Sequence, residues 1–327
     1  MKLSKKIMLF SGAVAVCASA LAAVSYALTS KMVKIAIDRE KPNSSEKSAS
    51  RLSGTSLNEF SEQIEQATQK LENSKIESVE LIAGDGERLV GHLYKNNNAK
   101  RIIVAMHGWR SSWSRDFGPI SDFWKYNNCT ILYADQRGHN ESGGEYIGFG
   151  LVERHDCVDW VDWINENINP DGLPIYLAGI SMGATTVLMA SGLNLAENVC
   201  GIMADCGFTS PHAIWKHVAN NNLRISYGIV SAMANSMYRK RIDMNTDEYS
   251  TVEALKETTI PILLIHGSDD RFVPVEMTYE NYKACRSPKK LLIVPGAQHA
   301  MSYYVNKAEY EDIVKRFWKE FDKNNMF

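Results

Sequence analysis

The seven residues Leu177-Ala178-Gly179-Ile180-Ser181-Met182-Gly183 mark an abrupt change from a β-strand to an α-helix. Their first two residues end an apolar run, Ile175–Ala178, and the helical stretch Ala184–Leu195 follows them directly. Ser181 is the central residue of a G-x-S-x-G pattern. So sharp a turn has room only for hydrogen at the flanking glycines, which pushes the serine hydroxyl into the open. The N-terminus of the next helix favours negative charge beside that hydroxyl. Ser181 is therefore a candidate nucleophile.

Two loops further along the chain carry the groups that a nucleophilic serine requires. The apolar run Ile262–Ile265 ends in a loop with Asp269 and Asp270, and the last apolar run ends in a loop with His299. The carboxyl ends of parallel strands share one edge of a sheet. We therefore expect Ser181, one of these two aspartates and His299 to meet there, with the histidine as base and the aspartate orienting it.

Attack on a carbonyl also needs two N–H donors for the oxygen that becomes negative. The residue after the nucleophile, Met182, supplies one backbone N–H, and the loop after the third strand supplies the other. That loop is Met106-His107-Gly108-Trp109. Gly108 permits a turn there, so the backbone N–H of Trp109 is the second candidate donor.

The wider pattern predicts an α/β fold. From Ser78 onward, short β-type runs alternate with helical stretches, which is typical of a mostly parallel, doubly wound sheet covered by helices on both faces. The first two runs flank Gly84-Asp85-Gly86 and predict an antiparallel hairpin. We expect about eight strands, the later six being Arg101–Met106, Thr130–Ala134, Ile175–Ala178, Cys200–Ala204, Ile262–Ile265 and Leu291–Val294.

Residues 75–327 form one predicted domain, in which the stretch from about 207 to 255 is longer than a simple connection needs. This stretch is rich in Met, Asn, Tyr and Arg and predicts a small helical cap. Residues 31–74 are rich in Ser, Lys and Glu. They predict a polar linker that ends in a short amphipathic helix, opened by a capping box of Ser56 and Glu59.

The N-terminus differs from the rest in composition. The 22 residues Ile7–Leu28 carry no charge and follow three lysines within Met1–Lys6. As a helix they would span about 33 Å, enough to cross a bilayer. Residues 1–30 therefore predict a transmembrane anchor in the lipid bilayer, with the body of the chain outside the cytoplasm. The alternative is a signal segment that is cleaved, leaving a secreted protein.

Charge and cysteine usage exclude several classes of function. The 327 residues hold 36 basic and 38 acidic side chains, a formal net charge of -2, which gives no electrostatic basis for binding nucleic acid. The six cysteines lack zinc-ligand spacing. The chain also lacks an H-E-x-x-H motif, a phosphate-binding P-loop and a dinucleotide-binding glycine pattern. No metal or cofactor is expected.

Five segments, taken in order, resemble bacterial serine hydrolases of the α/β-hydrolase superfamily, close to the serine-aminopeptidase, monoacylglycerol-lipase and prolyl-oligopeptidase catalytic-domain group. The resemblance covers about residues 75–327, and Asn140 departs from it by replacing a common glycine. It implies Ser181 as nucleophile, Asp270 as the acid, His299 as base, and the backbones of Trp109 and Met182 as oxyanion donors. The matching segments are His107–Trp109, Asp135–Ser142, Gly179–Gly183, His266–Pro274 and Gly296–His299.

The expected reaction is hydrolysis of a carboxylic ester of medium size through an acyl-enzyme. An aminopeptidase-like action on amides is the second expectation, and a non-catalytic binding module of the same fold is the third. Asp205, which follows a strand, is a rarer position for the acid. Trp109, Trp113 and the cap residue Trp215 either line an acyl pocket or pack in the core.

Overall fold

The computed structural model describes residues 22–40 and 59–322, and its centre is one sheet of eight strands. The strands follow the order β1-β2-β4-β3-β5-β6-β7-β8 across the sheet. The strands are β1 (Glu77–Ile82), β2 (Arg88–Tyr94), β3 (Arg101–Met106), β4 (Cys129–Ala134), β5 (Ile175–Ile180), β6 (Val199–Asp205), β7 (Ile262–Gly267) and β8 (Lys289–Val294).

A short turn connects the antiparallel strands β1 and β2, and longer helical connections lie between the parallel neighbours. β1 and β2 pair antiparallel across a tight turn at Gly86, and β2 pairs antiparallel with β4. All later pairs are parallel, because helices connect those strands. The predicted mostly parallel sheet of about eight strands is confirmed, and the predicted hairpin lies at its edge.

Helices cover both faces of the sheet, and the central strands β3, β4, β6 and β7 are therefore buried at every position. In β3, Ile102 and Val104 pack into one core with Trp160, while Ile103 packs into the opposite core with Phe117. The helices are α1 (22–37), α2 (Ser61–Glu72), α3 (Trp113–Tyr126), α4 (Glu153–Asn167), α5 (Met182–Ala190), α6 (Pro211–His217), α7 (Tyr227–Ile242), α8 (Thr251–Glu257), α9 (Val275–Ala284), α10 (Ser302–Val305) and α11 (Lys307–Phe321).

The stretch between β6 and β7 includes the cap. It contains α6, a π-helical turn at Val218–Asn222, and α7. Serine side chains begin two of the helices in this stretch: Ser210 accepts from the backbone N–H of Ala213 at α6, and Ser250 accepts likewise at α8. Helix α8 packs against α5 and so belongs to the helical layer beside the sheet rather than to the cap.

The N-terminal part differs from the predicted linker. Helix α1 continues to residue 37, and its side chains Val33 and Ile37 are buried. The first helix breaker after it is Pro42, which explains why the helix runs past residue 31. Helix α2 begins at Ser61 without a side-chain cap, and the Ser56 half of the predicted capping box lies outside the described residues.

The predicted membrane span falls mostly beyond the described part of the chain. Of the segment Ile7–Leu28, residues 7–21 lie outside it, and residues 22–28 form the first turns of α1. Within residues 22–40 and 59–322, no helix has the length and the apolar character needed to cross a membrane.

Candidate active site

Ser181 lies on a strained turn between β5 and α5. Its φ of 56° and ψ of -115° are rare for a residue with a side chain. The turn is possible because its neighbours are glycines: a Cβ on Gly179 would lie 2.3 Å from the backbone of Gly183, and one on Gly183 would lie 1.8 Å from the carbonyl oxygen of Met106. The predicted steric reason for the G-x-S-x-G spacing therefore holds in the structure.

Ser181, His299 and Asp270 form a continuous chain of hydrogen bonds. The hydroxyl oxygen of Ser181 lies 2.9 Å from Nε2 of His299, and Nδ1 of His299 lies 2.6 Å from Oδ2 of Asp270. Ser181 follows β5, Asp270 follows β7 and His299 follows β8, so three loops at one edge of the sheet bring the groups together. The structure thus juxtaposes these three predicted site residues.

Asp270 is held as a carboxylate by its surroundings. Its Oδ1 accepts hydrogen bonds from the backbone N–H groups of Phe272 and Val273, both at 2.9 Å, and its Oδ2 lies 3.1 Å from Nε2 of His266. Burial opposes the charge, but the charge of His299 and the hydrogen bonds from both histidines outweigh it and lower the pKa of Asp270. Asp270 therefore stays ionised at neutral pH.

The neighbouring carboxylate points elsewhere. Asp269 is exposed and accepts a hydrogen bond of 2.7 Å from the hydroxyl of Ser268. Of the two aspartates that the sequence left as alternatives in this loop, only Asp270 is bonded to His299.

His299 gains basicity from the same pairing. Burial alone would lower its pKa, but the negative charge and hydrogen bond of Asp270, with smaller contributions from Asp205 and Asp116, raise the pKa of His299 above its usual 6.5. Its side chain is 11% exposed. A histidine in this setting accepts a proton readily and is stabilised once it carries the charge.

Asp205 lies near the hydrogen-bonded residues Ser181, His299 and Asp270, but its carboxylate bonds to other side chains. Its carboxylate accepts a hydrogen bond from the hydroxyl of Ser302 at 3.2 Å and another from Tyr310. Burial raises the pKa of Asp205 to about 6. It affects His299 through charge, while the direct hydrogen bond to His299 comes from Asp270.

The loop after β3 lies against Ser181. A Cβ on Gly108 would come within 3.4 Å of the Ser181 side chain, which shows how closely the two turns approach. The backbone N–H of Gly108 donates to Oδ2 of Asp116 at 2.7 Å, and Asp116 also accepts from the hydroxyl of Ser111. Asp116 thereby fixes the backbone that carries the N–H of Trp109. The motifs contained no signal for this role.

The other predicted donor is the first residue of a helix. Met182 begins α5, so its backbone N–H has no acceptor one turn earlier within that helix.

A third histidine, His139, stabilises the loop after β3. Burial lowers the pKa of His139 to about 3, which keeps its ring neutral, and its Nε2 accepts a hydrogen bond from the backbone N–H of Arg110 at 2.9 Å. Asn140, which replaces the common glycine, adopts a φ of 43° and donates to Asp135 at 2.9 Å.

A largely apolar cavity of about 360 Å³ opens over Ser181. Its size is within the range of small-molecule sites. Trp109 and Trp215 line it, whereas Trp113 stacks on the ring of His92 away from it. Helix α1 forms one wall, which the sequence patterns did not indicate. The lining residues are Thr29, Lys31, Met32, Val33, Ile35, Ala36, Trp109, Phe149, Ser181, Phe208, Ile214, Trp215, Val218, Ala219, Leu223, Tyr227, Val230, Ala234 and Phe272.

One group of potential metal ligands occurs among residues 22–40 and 59–322. The ligand atoms of Cys206, Asp270 and His299 lie within 4.8 Å of one another. Two of them are already hydrogen-bonded together, and burial raises the pKa of the Cys206 thiol well above its usual value. Because metals bind the thiolate, this environment opposes metal binding.

The order of the eight strands, the antiparallel β2 and the strained serine turn directly after β5 are those of an α/β hydrolase. Residues 117–324 match the prolyl oligopeptidase family, Peptidase_S9, over more than half of the sequence. The chain belongs to this family.

Two bacterial proteins are similar to this chain in sequence. The chain is 31% identical over 191 residues to the uncharacterized protein YqkD of Bacillus subtilis (strain 168), covering 57% of this chain and 61% of YqkD. It is 25% identical over 229 residues to the uncharacterized protein YfhR of Escherichia coli (strain K12), covering 68% of this chain and 73% of YfhR. The chain thus spans about three fifths of the length of the first of these relatives.

A solved structure shares the fold. The esterase Pf2001 of Pyrococcus furiosus superposes with a TM-score of 0.64 at 22% identity, covering 77% of this chain and 94% of the esterase. At this identity the likeness concerns the fold alone.

Proposed function

We propose that this hydrolase is a serine esterase that cleaves a carboxylic ester through an acyl-enzyme intermediate. The observation that carries the proposal is the hydrogen-bonded chain Ser181–His299–Asp270, which begins in the apolar cavity. A serine is a weak nucleophile until a base in hydrogen-bond contact removes its proton, and that base needs a group to orient it. The distances of 2.9 Å from Ser181 to His299 and 2.6 Å from His299 to Asp270 support both roles.

In the proposed acylation, Nε2 of His299 takes the hydroxyl proton as the oxygen of Ser181 attacks the carbonyl carbon. The carbonyl oxygen becomes negative and accepts hydrogen bonds from the backbone N–H groups of Trp109 and Met182. His299 then gives the proton to the departing alcohol, and the acyl group remains on Ser181. Asp270 stabilises the imidazolium throughout.

Water completes the cycle in the second half. His299 removes one proton from water, whose oxygen attacks the acyl carbon, and the same proton returns to the oxygen of Ser181 as the acid leaves. The proposed steps use only side chains, backbone amides and water.

The lining of the cavity favours an ester with an apolar acyl group over a peptide. An acidic side chain would pair with the charged amino terminus of a peptide substrate, and none of the described residues that line the cavity is Asp or Glu. The solved relative Pf2001 is itself described as an esterase. Peptidase action remains the second candidate because of the family match over residues 117–324.

A substrate panel tests the proposal. Rates are measured with p-nitrophenyl esters and with aminoacyl p-nitroanilides for the unmodified chain, for Ser181→Ala and for the matched control Ser231→Ala, which lies in α7 and does not line the cavity. We expect ester cleavage to exceed amide cleavage, and only Ser181→Ala to abolish it. Faster amide cleavage would favour the peptidase. No turnover of either class by a folded chain would favour a non-catalytic binding module.

We also propose that residues 1–30 anchor the protein in a membrane with the hydrolase body outside the cytoplasm. The support is the uncharged stretch Ile7–Leu28, together with Val24, Tyr26 and Leu28 of α1, each more than half exposed to solvent. Exposed apolar side chains of this size are stabilised when lipid covers them. Full-length protein is expected in the membrane fraction after a high-salt wash. Its release into the soluble fraction would contradict the anchor.

A further inference from the structure

Helix α1 has two parts with different surroundings. In its first two turns, residues 22–28, the side chains of Val24, Tyr26 and Leu28 are 55–58% exposed. In its second part, Thr29 and Val33 are 2% exposed and Ile37 is fully buried. Only residues 29–37 therefore pack on the hydrolase domain.

The C-terminal end of α1 is held by the loop that follows β3. The indole Nε1 of Trp109 donates to the carbonyl oxygen of Ala36 at 2.7 Å, and the guanidinium of Arg110 donates to those of Ile35 at 2.8 Å and Asp38 at 2.6 Å. The last carbonyl groups of a helix have no hydrogen-bond partners within the helix. A cation beside them is also attracted by the negative end of the helix dipole. These bonds fix the position of α1 relative to Ser181.

The residues after α1 add a second attachment. Arg39 donates to the carbonyl oxygen of Asn140 at 2.7 Å and to that of Ser142, and Asp38 forms an ion pair of 3.0 Å with Arg241 of α7. The helix is thus connected both to the loop beside the nucleophile and to the cap. The helix is therefore part of the site: hydrogen bonds fix its C-terminal end, and apolar packing fixes the face that it turns to the cavity.

The docked part of α1 contributes six of the residues that line the cavity over Ser181, including Met32 and Val33. Helices α6 and α7 of the cap supply facing residues such as Ile214, Trp215 and Val230. Val33 and Ile37 share one apolar cluster with these cap residues. Anything that fills the cavity from Ser181 outward must therefore contact α1.

We propose that helix α1 is the selectivity wall for the acyl chain, with Val33 setting the length of chain that the site accepts. This inference rests on the proposed esterase function. It implies that the substrate is an ester whose apolar acyl chain lies between α1 and the cap. A segment next to the predicted membrane span would then take part directly in substrate choice.

The test compares variants that change the wall in opposite directions. Hydrolysis of p-nitrophenyl esters with acyl chains of 2, 4, 8 and 10 carbons is measured for the full-length chain, for Val33→Phe and for Val33→Ala. One methylene in an apolar pocket changes kcat/KM by about tenfold or more. We expect Val33→Phe to lower the ratio of long-chain to short-chain kcat/KM by about tenfold, and Val33→Ala to shift the preference toward longer chains. Lys34→Phe, on the exposed side of α1, is the matched control and should leave the ratio unchanged.

A parallel measurement separates the two proposals. A fluorophosphonate probe reports whether Ser181 is reactive in each variant. If both Val33 variants label fully and keep the same chain-length profile, the proposed role of α1 in selecting the acyl chain is wrong, while the proposed esterase function is unaffected. Failure of the unmodified chain to label at Ser181 would overturn both. Should Val33→Phe fold poorly, Val33→Ala still tests the wall, because removing two methyl groups adds space without a clash.

Discussion

The floor and the walls of the cavity are built in different ways. The floor consists of loops at one edge of the sheet, where Ser181, His299 and Asp270 are joined by hydrogen bonds of 2.9 and 2.6 Å. The walls are helix α1 and the cap. Hydrogen bonds hold the C-terminal end of α1, but the faces of α1 and the cap that enclose the cavity meet through apolar side chains in a separate cluster. Directional bonds fix atoms to within fractions of an ångström, whereas apolar packing fixes mainly volume and shape.

This difference separates chemistry from substrate choice. Changes in the floor should lower kcat, because they remove interactions made in the transition state. Changes in the walls should alter KM and the preferred acyl chain, because they remove binding that substrate and transition state share. We expect the largest effects from changes in the floor and smaller ones from changes in the walls.

The largest effect is expected at the nucleophile and its base. Ser181→Ala and His299→Ala should each lower kcat by roughly 10⁶-fold, and the double variant by no more than either, because the two residues act as one unit. Steady-state kinetics on a short ester measures this, with circular dichroism to confirm that each variant is folded. Losses that multiply in the double variant would show that the two residues act independently.

Asp270→Asn should lower kcat by about 10⁴-fold while the protein stays folded, because the amide cannot orient and charge-stabilise His299 as the carboxylate does. Asp269→Asn is the matched control one residue away and should keep kcat within about twofold, as an exposed side chain outside the chain of bonds. Equal losses from the two substitutions would argue against Asp270 as the orienting acid.

Asp116→Asn tests whether the loop before α3 is held for catalysis. It weakens the bond to the backbone N–H of Gly108 and so loosens the neighbouring N–H of Trp109. We expect kcat to fall by about 10- to 100-fold with little change in KM, less than the loss of a whole oxyanion donor. Asp122→Asn, an exposed position on the same helix, is the control. An effect on KM alone would place Asp116 in binding instead.

On the wall side, Trp215→Ala should raise KM for a long-chain ester by about tenfold and leave kcat within about threefold, because the indole lines the cavity and is not part of the Ser181–His299–Asp270 hydrogen-bond chain. The same variant should treat p-nitrophenyl acetate as the unmodified chain does. A large fall in kcat on acetate would mean that the wall also shapes the floor.

The smallest effect concerns pH. His299 must be neutral to act as a base, so kcat/KM should fall as pH drops through its pKa, which Asp270 holds above 6.5. Asp205 also raises that pKa through its charge. Asp205→Asn should therefore move the acid limb of the profile to lower pH and preserve the maximal rate. A limb that moves to higher pH would contradict the assigned sign.

The floor could be predicted from the sequence because its requirements are local. The glycines around Ser181 are demanded by a turn of a few residues, and each partner follows a recognisable apolar run. The apolar run Ile262–Ile265 did not by itself indicate which of Asp269 and Asp270 pairs with the histidine. Backbone N–H groups from Phe272 and Val273 make the choice in the structure.

The walls could not be predicted in the same way. Residues 31–37 are mostly apolar, with Lys31 and Lys34 between them, but the run is too short to show a helical period by itself. Their helix is fixed by contacts with Trp109 and Arg110, more than 70 positions away. The role of Asp116 depends likewise on the approach of α3 to the loop after β3. Neither pairing leaves a periodic or compositional signal, since each involves a single side chain and a backbone atom.

The most direct measurement is to map the site at which a fluorophosphonate bonds to the full-length protein. The probe is applied at neutral pH, and the digested protein is examined by mass spectrometry, with His299→Ala as the comparison. Our account predicts one adduct, on Ser181, that forms far more slowly when His299 is absent. An adduct on another serine, or equally fast labelling of Ser181 without His299, would contradict it.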